Sequence, residues 1–153
     1  MANTFMNKRY AVLDTNALIS YFDSVFKQAS RISDEALKLI RHAFQSDSDV
    51  VLSIPSVVFI EIYDKWVLGD EFRAMFVSEV LELILQAPNI EIKPIDEEVL
   101  ENFMYLDDPE VNLENHDRII LASAMMLQWP LITSDSKILK YAKRHRVIPS
   151  VIQ

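Results

Sequence analysis

Four acidic residues combine the side-chain type and the placement that metal-dependent chemistry requires. They are Asp14, Glu61, Asp117 and Asp135, each at the edge of an otherwise apolar segment, and together we call them the carboxylate quartet. A lone carboxylate beside a buried segment costs several kcal/mol unless a partner offsets its charge. Two carboxylates about 4 Å apart repel by roughly 4 kcal/mol at an effective dielectric of about 20, so a cluster of four needs a cation. Because oxygen ligands favour Mg²⁺ or Mn²⁺ over Zn²⁺, the quartet predicts a Mg²⁺ or Mn²⁺ site.

Polar neighbours of the quartet can support that site. Thr15 and Asn16 follow Asp14 directly, and Thr133 and Ser134 precede Asp135. Each side chain can hydrogen-bond a carboxylate or a water molecule on the metal. A helix cap for Thr15 and a plain loop role for Thr133 and Ser134 fit the sequence equally well. Both interpretations therefore stay open.

Predicted strands and predicted helices alternate along the chain, and they must position these residues. We expect strands at residues 10–13, 50–54, 90–95, 131–133 and 147–148. We expect helices at residues 16–22, after caps at Ser33, Ser56 and Asp96, at 72–84, at 116–127 and at 136–145. Gly69, the one glycine, is expected to stop the helix that begins at Ser56. This alternation predicts an α/β three-layer sandwich with a mostly parallel central sheet flanked by helices, as one domain over residues 1–153.

The predicted fold can bring the quartet together. In open parallel sheets, ligands bind at the carboxyl ends of the strands. Asp14 and Asp135 each follow a predicted strand, while Asp117 and Glu61 lie near the beginnings of their helices. With right-handed crossovers, both helix N-termini face the same sheet edge as the strand ends. Four carboxylates from distant segments are therefore expected to converge.

Composition narrows the functional classes. The chain has no cysteine, which excludes disulfides, thiolate zinc sites and a cysteine nucleophile. We see neither a signal peptide nor a membrane span, and expect a cytoplasmic protein without membrane association. A net charge of −8 opposes nucleic-acid binding unless a metal or a local basic patch counters it. Two such basic clusters occur in the sequence: Arg31, Lys38 and Arg41, and Lys137, Lys140, Lys143, Arg144 and Arg146.

The four acidic segments together resemble the PIN-domain ribonucleases, most closely the VapC-type toxins. The matching segments are Asp14-Thr15-Asn16 after the first strand, Glu61 a few residues past Pro55, Asp117 before an apolar stretch with Ala122 and Ala124, and Thr133-Ser134-Asp135 at a strand end. Similarity to this family implies Mg²⁺- or Mn²⁺-dependent endonucleolytic cleavage of RNA, commonly by a homodimer. For the toxins it also implies a cognate antitoxin protein that blocks the site.

Two other functions compete with a metal-dependent ribonuclease. The first is a PIN-like binding or scaffold module without turnover, which the intact quartet argues against. The second is another Mg²⁺-dependent phosphotransfer enzyme on an α/β sheet, which would want a second carboxylate where Asn16 stands. The three histidines, His42, His116 and His145, are too scattered to make a zinc set, so structural or surface roles are expected for them.

Overall fold

A five-stranded parallel sheet forms the centre of the molecule. The computed structural model describes residues 7–66 and 69–153. The strands are β1 (Arg9–Leu13), β2 (Val50–Pro55), β3 (Ile90–Lys93), β4 (Leu131–Ile132) and β5 (Val151–Ile152). Their order across the sheet is β3-β2-β1-β4-β5, and every pairing is parallel. The fold class predicted from the sequence is confirmed.

Helices flank the sheet and connect its strands. They are α1 (Thr15–Tyr21), α2 (Asp23–Phe26), α3 (Asp34–Ala43), α4 (Ser56–Trp66), α5 (Asp70–Phe76), α6 (Glu82–Gln86), α7 (Glu97–Met104), α8 (Asn115–Leu127) and α9 (Ser136–His145). A π-helical turn at Val77–Leu81 joins α5 to α6, so the amphipathic helix expected over residues 72–84 continues from Asp70 to Gln86. Among the described residues, no helix is long and apolar enough to cross a membrane.

The central strand β1 carries the first quartet residue to the edge of the sheet. Ala11, Val12 and Leu13 are almost completely buried, as a strand with neighbours on both sides and helices on both faces requires. Leu13 lies beside Ile132 of β4 in the register. The amide of Asp14 then donates to the carbonyl of Ile132 at 3.2 Å. This pairing brings the residues that follow β1 next to the residues that follow β4.

Capping residues predicted from the sequence begin two of the helices. The side chains of Ser33 and Asp96 accept backbone N–H groups at the first turns of α3 and α7, respectively. Helix α4 is described as far as Trp66, and Gly69 directly precedes α5. Its φ of 172° is extended, and not the left-handed conformation of a helix stop. Residues 67 and 68 between them lie outside the described ranges.

Two predicted strand boundaries are wrong, and proline explains both. The closing strand lies at Val151–Ile152 and not at residues 147–148. Pro149 has no N–H to donate to a ladder, so pairing with β4 begins after it, and Ile148 packs into the core. Pro94 likewise ends β3 at Lys93, which leaves Ile95 outside the strand.

Ser53 in β2 offers a test of the core. Its side chain is fully buried and its hydroxyl has no hydrogen-bond partner among the described residues. Since an unpaired buried hydroxyl is unfavourable, Ser53→Ala should raise the free energy of unfolding by about 1 kcal/mol in urea denaturation. Ser123→Ala is the matched control, because the equally buried Ser123 hydroxyl donates to the carbonyl of Ile119 at 2.9 Å. A loss of stability in Ser53→Ala as large as in the control would contradict the assignment.

Candidate active site

All four quartet residues line one cavity of about 320 Å³ at the carboxyl edge of the sheet. Two of the predicted supporting residues, Thr15 and Asn16, line it as well. Ser134, half-buried in the loop after β4, is not among the described residues that line it. The remaining lining residues are Arg31, Lys65, Glu114, His116, Ile120, Ser136 and Lys137.

Asp14 is the most deeply buried member of the quartet, with only 2% of its surface exposed. It caps α1, since its Oδ1 accepts the amide of Ala17 at 2.8 Å. Its Oδ2 accepts the hydroxyl of Thr133, which in turn accepts the amide of Asp135 at 3.0 Å. Thr133 therefore holds the Asp14 carboxylate and fixes the backbone at Asp135.

Glu61 is held by contacts from three directions. It lies one and a half turns into α4, where the Thr15 hydroxyl donates to its Oε2 at 2.5 Å. Its Oε1 lies 3.0 Å from the Nζ of Lys65 and 3.1 Å from the Nε2 of His116. Thr15 thus supports the quartet directly, while Asp14 caps α1.

Asp135 and Asp117 enter the cavity from helix beginnings. Asp135 caps α9, its Oδ1 accepting the amides of Lys137 and Ile138 at 2.9 Å each. Asp117 occupies the first turn of α8 and is 8% exposed. The next residue, Arg118, is directed away from it and donates to the carbonyls of Leu106 and Phe103. Arg118 therefore does not neutralise Asp117.

Burial and mutual repulsion change the acidity of two quartet members. Desolvation raises the pKa of Asp14 from 3.8 to about 7, with smaller contributions from the charges of Asp135 and Asp117, against the hydrogen bonds from Thr133 and Ala17. Desolvation also raises the pKa of Asp117 to about 6, although nearby His116 acts in the opposite direction. Both shifts show that negative charge in this cavity lacks full compensation from the protein.

Three ionisable lining residues are absent from the site residues and the basic clusters predicted from the sequence. Glu114 and His116 precede Asp117 by three positions and one position, and Lys65 follows Glu61 by one helical turn. The signal was available for His116, because it adjoins a quartet member at the beginning of a helix. Spacing among the three histidines alone does not reveal this position, whereas the adjacent carboxylate does.

One group of described residues lies close enough together for direct contact with a single ion. Its members are Glu114, His116 and Asp117, each with a ligand atom within 4.8 Å of the other two. The quartet as a whole surrounds a wider space, as expected for an ion that keeps part of its water shell. Carboxylate-rich walls with raised pKa values fit a hard divalent cation.

A family comparison agrees with this geometry. The family model described as PIN domain matches residues 11–144, a range that contains the entire quartet. This chain belongs to the PIN-domain family. A comparison with curated proteins found no match.

Solved structures with the same fold include proteins described as toxin–antitoxin systems. VapBC-5 of Mycobacterium tuberculosis matches with a TM-score of 0.57 and 17% identity, over 94% of this PIN chain and 98% of the other. VapBC2 of Rickettsia felis, bound to a promoter DNA fragment, matches with a TM-score of 0.63 and 16% identity. The match covers 92% of this chain and 96% of the other. A toxin–antitoxin complex of Klebsiella pneumoniae matches with a TM-score of 0.55 and 22% identity. The match covers 94% of this chain and 96% of the other. At these identities the similarity shows a shared fold.

The raised pKa values predict how stability depends on pH without metal. From the ordinary pKa of 3.8 up to about 6 for Asp117 and about 7 for Asp14, the folded PIN domain should hold protons that the unfolded chain has released. Its free energy of unfolding should therefore fall as pH rises through this window. Mn²⁺ should reverse the fall, since it binds the deprotonated carboxylates of the folded state.

Urea denaturation at several pH values, with chelator and with Mn²⁺, measures this effect. Asp14→Asn removes one of the two titrating groups and should flatten the curve, while the amide still caps α1. An Asp14→Asn curve that keeps the full wild-type slope would contradict the raised pKa of Asp14.

Proposed function

We propose that this PIN domain is a Mg²⁺- or Mn²⁺-dependent endoribonuclease that hydrolyses RNA phosphodiester bonds at the carboxylate quartet. The observation that carries the proposal is the cavity itself, which gathers four carboxylates from α4, α8 and the residues that follow β1 and β4. Membership of the PIN-domain family supports the same activity. A divalent ion in such a site lowers the pKa of a bound water and stabilises the charge on the reacting phosphate.

The protein's own residues would divide the work. Asp14 and Asp117 would hold the ion most directly, because they are the most buried quartet members and have the raised pKa values. Glu61 and Asp135 would complete the shell or orient water. Thr15 keeps Glu61 in place, and Thr133 does the same for Asp14.

Positive side chains at the cavity offset the unfavourable charge of the whole chain. Each of the two basic clusters contributes one residue to the cavity wall, Arg31 from the first and Lys137 from the second. Both side chains are exposed. We infer that they contact RNA phosphates on either side of the bond to be cut, so that the polyanion meets local positive charge despite a net charge of −8.

We also propose that the chain is the toxin of a toxin–antitoxin pair in the cytoplasm. The solved structures that share its fold include complexes described as toxin–antitoxin, which supports a cognate antitoxin as partner. Assembly as a homodimer belongs to the same proposal and rests on the family resemblance alone. The alternative, a PIN-like scaffold without turnover, would remove the reason to keep four like charges in one cavity.

Asp14→Asn and Asp117→Asn should each reduce RNA cleavage by at least about a hundredfold, since each removes a negative charge from the metal site. The assay mixes purified protein with labelled single-stranded RNA, with Mn²⁺ or with chelator. Asp64→Asn is the matched control, because Asp64 lies exposed on α4 one turn beyond Glu61 and should leave cleavage unchanged.

The outcomes separate the hypotheses. Metal-dependent cleavage that is lost in both quartet variants and kept in Asp64→Asn would support the ribonuclease. Equal cleavage by wild type and quartet variants would indicate a contaminant. Absence of both cleavage and a Mn²⁺-induced thermal shift would favour the scaffold alternative.

RNA binding without turnover tests the two cavity cations. In an Asp117→Asn background, Arg31→Gln and Lys137→Gln should each weaken binding of single-stranded RNA several-fold. Each should also reduce the slope of log affinity against log salt by about 0.7, since each removes one phosphate contact. Lys140→Gln, on the same helix as Lys137 but outside the cavity, is the control. Equal effects of Lys137→Gln and Lys140→Gln would contradict a specific phosphate contact.

A further inference from the structure

A histidine nitrogen lies among the carboxylates of the proposed metal site. The Nε2 of His116 is 3.1 Å from Oε1 of Glu61, 3.4 Å from Oδ1 of Asp117 and 3.4 Å from Oε2 of Glu114. These three oxygens come from two helices, α4 and the beginning of α8, that pack against each other. The histidine side chain is about three-quarters buried, so its ring is held in this position.

Hydrogen bonding by the His116 ring cannot satisfy all three of these carboxylate oxygens. A ring nitrogen carries at most one proton, so it can donate well to one of the three carboxylate oxygens. Glu61 already has a cationic neighbour, since Lys65 contacts the same Oε1 at 3.0 Å. The oxygens of Glu114 and Asp117 both lie near this nitrogen, but its single N–H cannot donate well to both. A cation that accepts electron pairs from the nitrogen and the oxygens together would satisfy all of them.

The spacing of these atoms is compatible with shared ligation. Neighbouring ligands about 2.1 Å from one octahedral ion lie about 3 Å apart. The distance from the His116 nitrogen to Asp117 is 3.4 Å, and the ligand atoms of Glu114, His116 and Asp117 lie within 4.8 Å of one another. Small side-chain adjustments would therefore bring them into one coordination sphere.

We propose that His116 is a direct nitrogen ligand of the divalent ion, together with Asp117 and Glu114, and that it makes the site prefer Mn²⁺ to Mg²⁺. This inference rests on the proposed function and specifies its metal. Mg²⁺ takes oxygen ligands and gives up its water reluctantly, whereas imidazole suits first-row transition ions. Among those ions, Mn²⁺ is the one for which carboxylate and water oxygens are the usual ligands.

Pulsed electron paramagnetic resonance of Mn²⁺ bound to the 153-residue chain tests the ligand directly. A coordinated imidazole should give ¹⁴N modulation in wild type, and His116→Gln should abolish it. The matched control is His42→Gln, which should keep the modulation. His42 lines a separate cavity beside Arg9 and Val50, at the opposite ends of β1 and β2.

Thermal shift titrations with Mn²⁺ and Mg²⁺ provide the second readout. His116→Gln should weaken Mn²⁺ binding by at least about tenfold and change Mg²⁺ binding by less than about threefold. His42→Gln should change neither. Because the wild-type spectrum alone reports whether a nitrogen coordinates the ion, the inference can be overturned even if the variant does not fold.

The outcomes distinguish this inference from the function on which it rests. Mn²⁺ binding without ¹⁴N modulation in wild type would overturn the nitrogen ligand and leave the ribonuclease standing. Equal loss of Mn²⁺ and Mg²⁺ affinity in His116→Gln would overturn the metal preference. A wild-type protein that binds neither ion would overturn the proposed function together with this inference.

Discussion

The burial of the Asp14 carboxylate at the carboxyl edge of the sheet is the constraint on which the site depends. Its two oxygens join three parts of the fold, because one accepts an amide of α1 and the other accepts the hydroxyl that follows β4. The pairing of β1 with β4 places that hydroxyl within reach. Any distortion of the central strands would therefore move the carboxylate as well, and the sheet and the site are built as one unit.

The clustered carboxylates at this edge of the sheet destabilise the metal-free protein and favour binding of a cation. Asp14 and Asp117 are buried near other carboxylates, which raises their pKa values. A protein selected for stability alone would place apolar residues there, since buried charge is costly. The nearby Lys65 ammonium offsets part of the repulsion at Glu61. The cavity thus stores unfavourable electrostatic energy that a divalent ion can relieve.

Sequence patterns predicted what depends on local physics. Buried apolar runs located the central strands, and caps at Ser33 and Asp96 were correct, because N-cap hydrogen bonds involve residues close in sequence. Positions that depend on contacts with distant parts of the chain were harder to predict. The last strand lies beyond Pro149 since its ladder forms only with β4. The proximity of His116 to Glu61 depends on how α4 packs against α8, and helical periodicity does not specify which faces of two helices meet.

The quartet residues differ in how much the fold itself needs them. Asp14 and Asp135 cap α1 and α9, so selection for folding would preserve both even in a lineage without enzymatic activity. Glu61 and Asp117 lie inside their helices and cap nothing, so under the proposed function they serve ligand binding more than folding. In relatives of this chain, we therefore expect loss of Glu61 or Asp117 to be the earlier mark of a lineage that has abandoned chemistry. Retention of the two capping aspartates carries less information about activity.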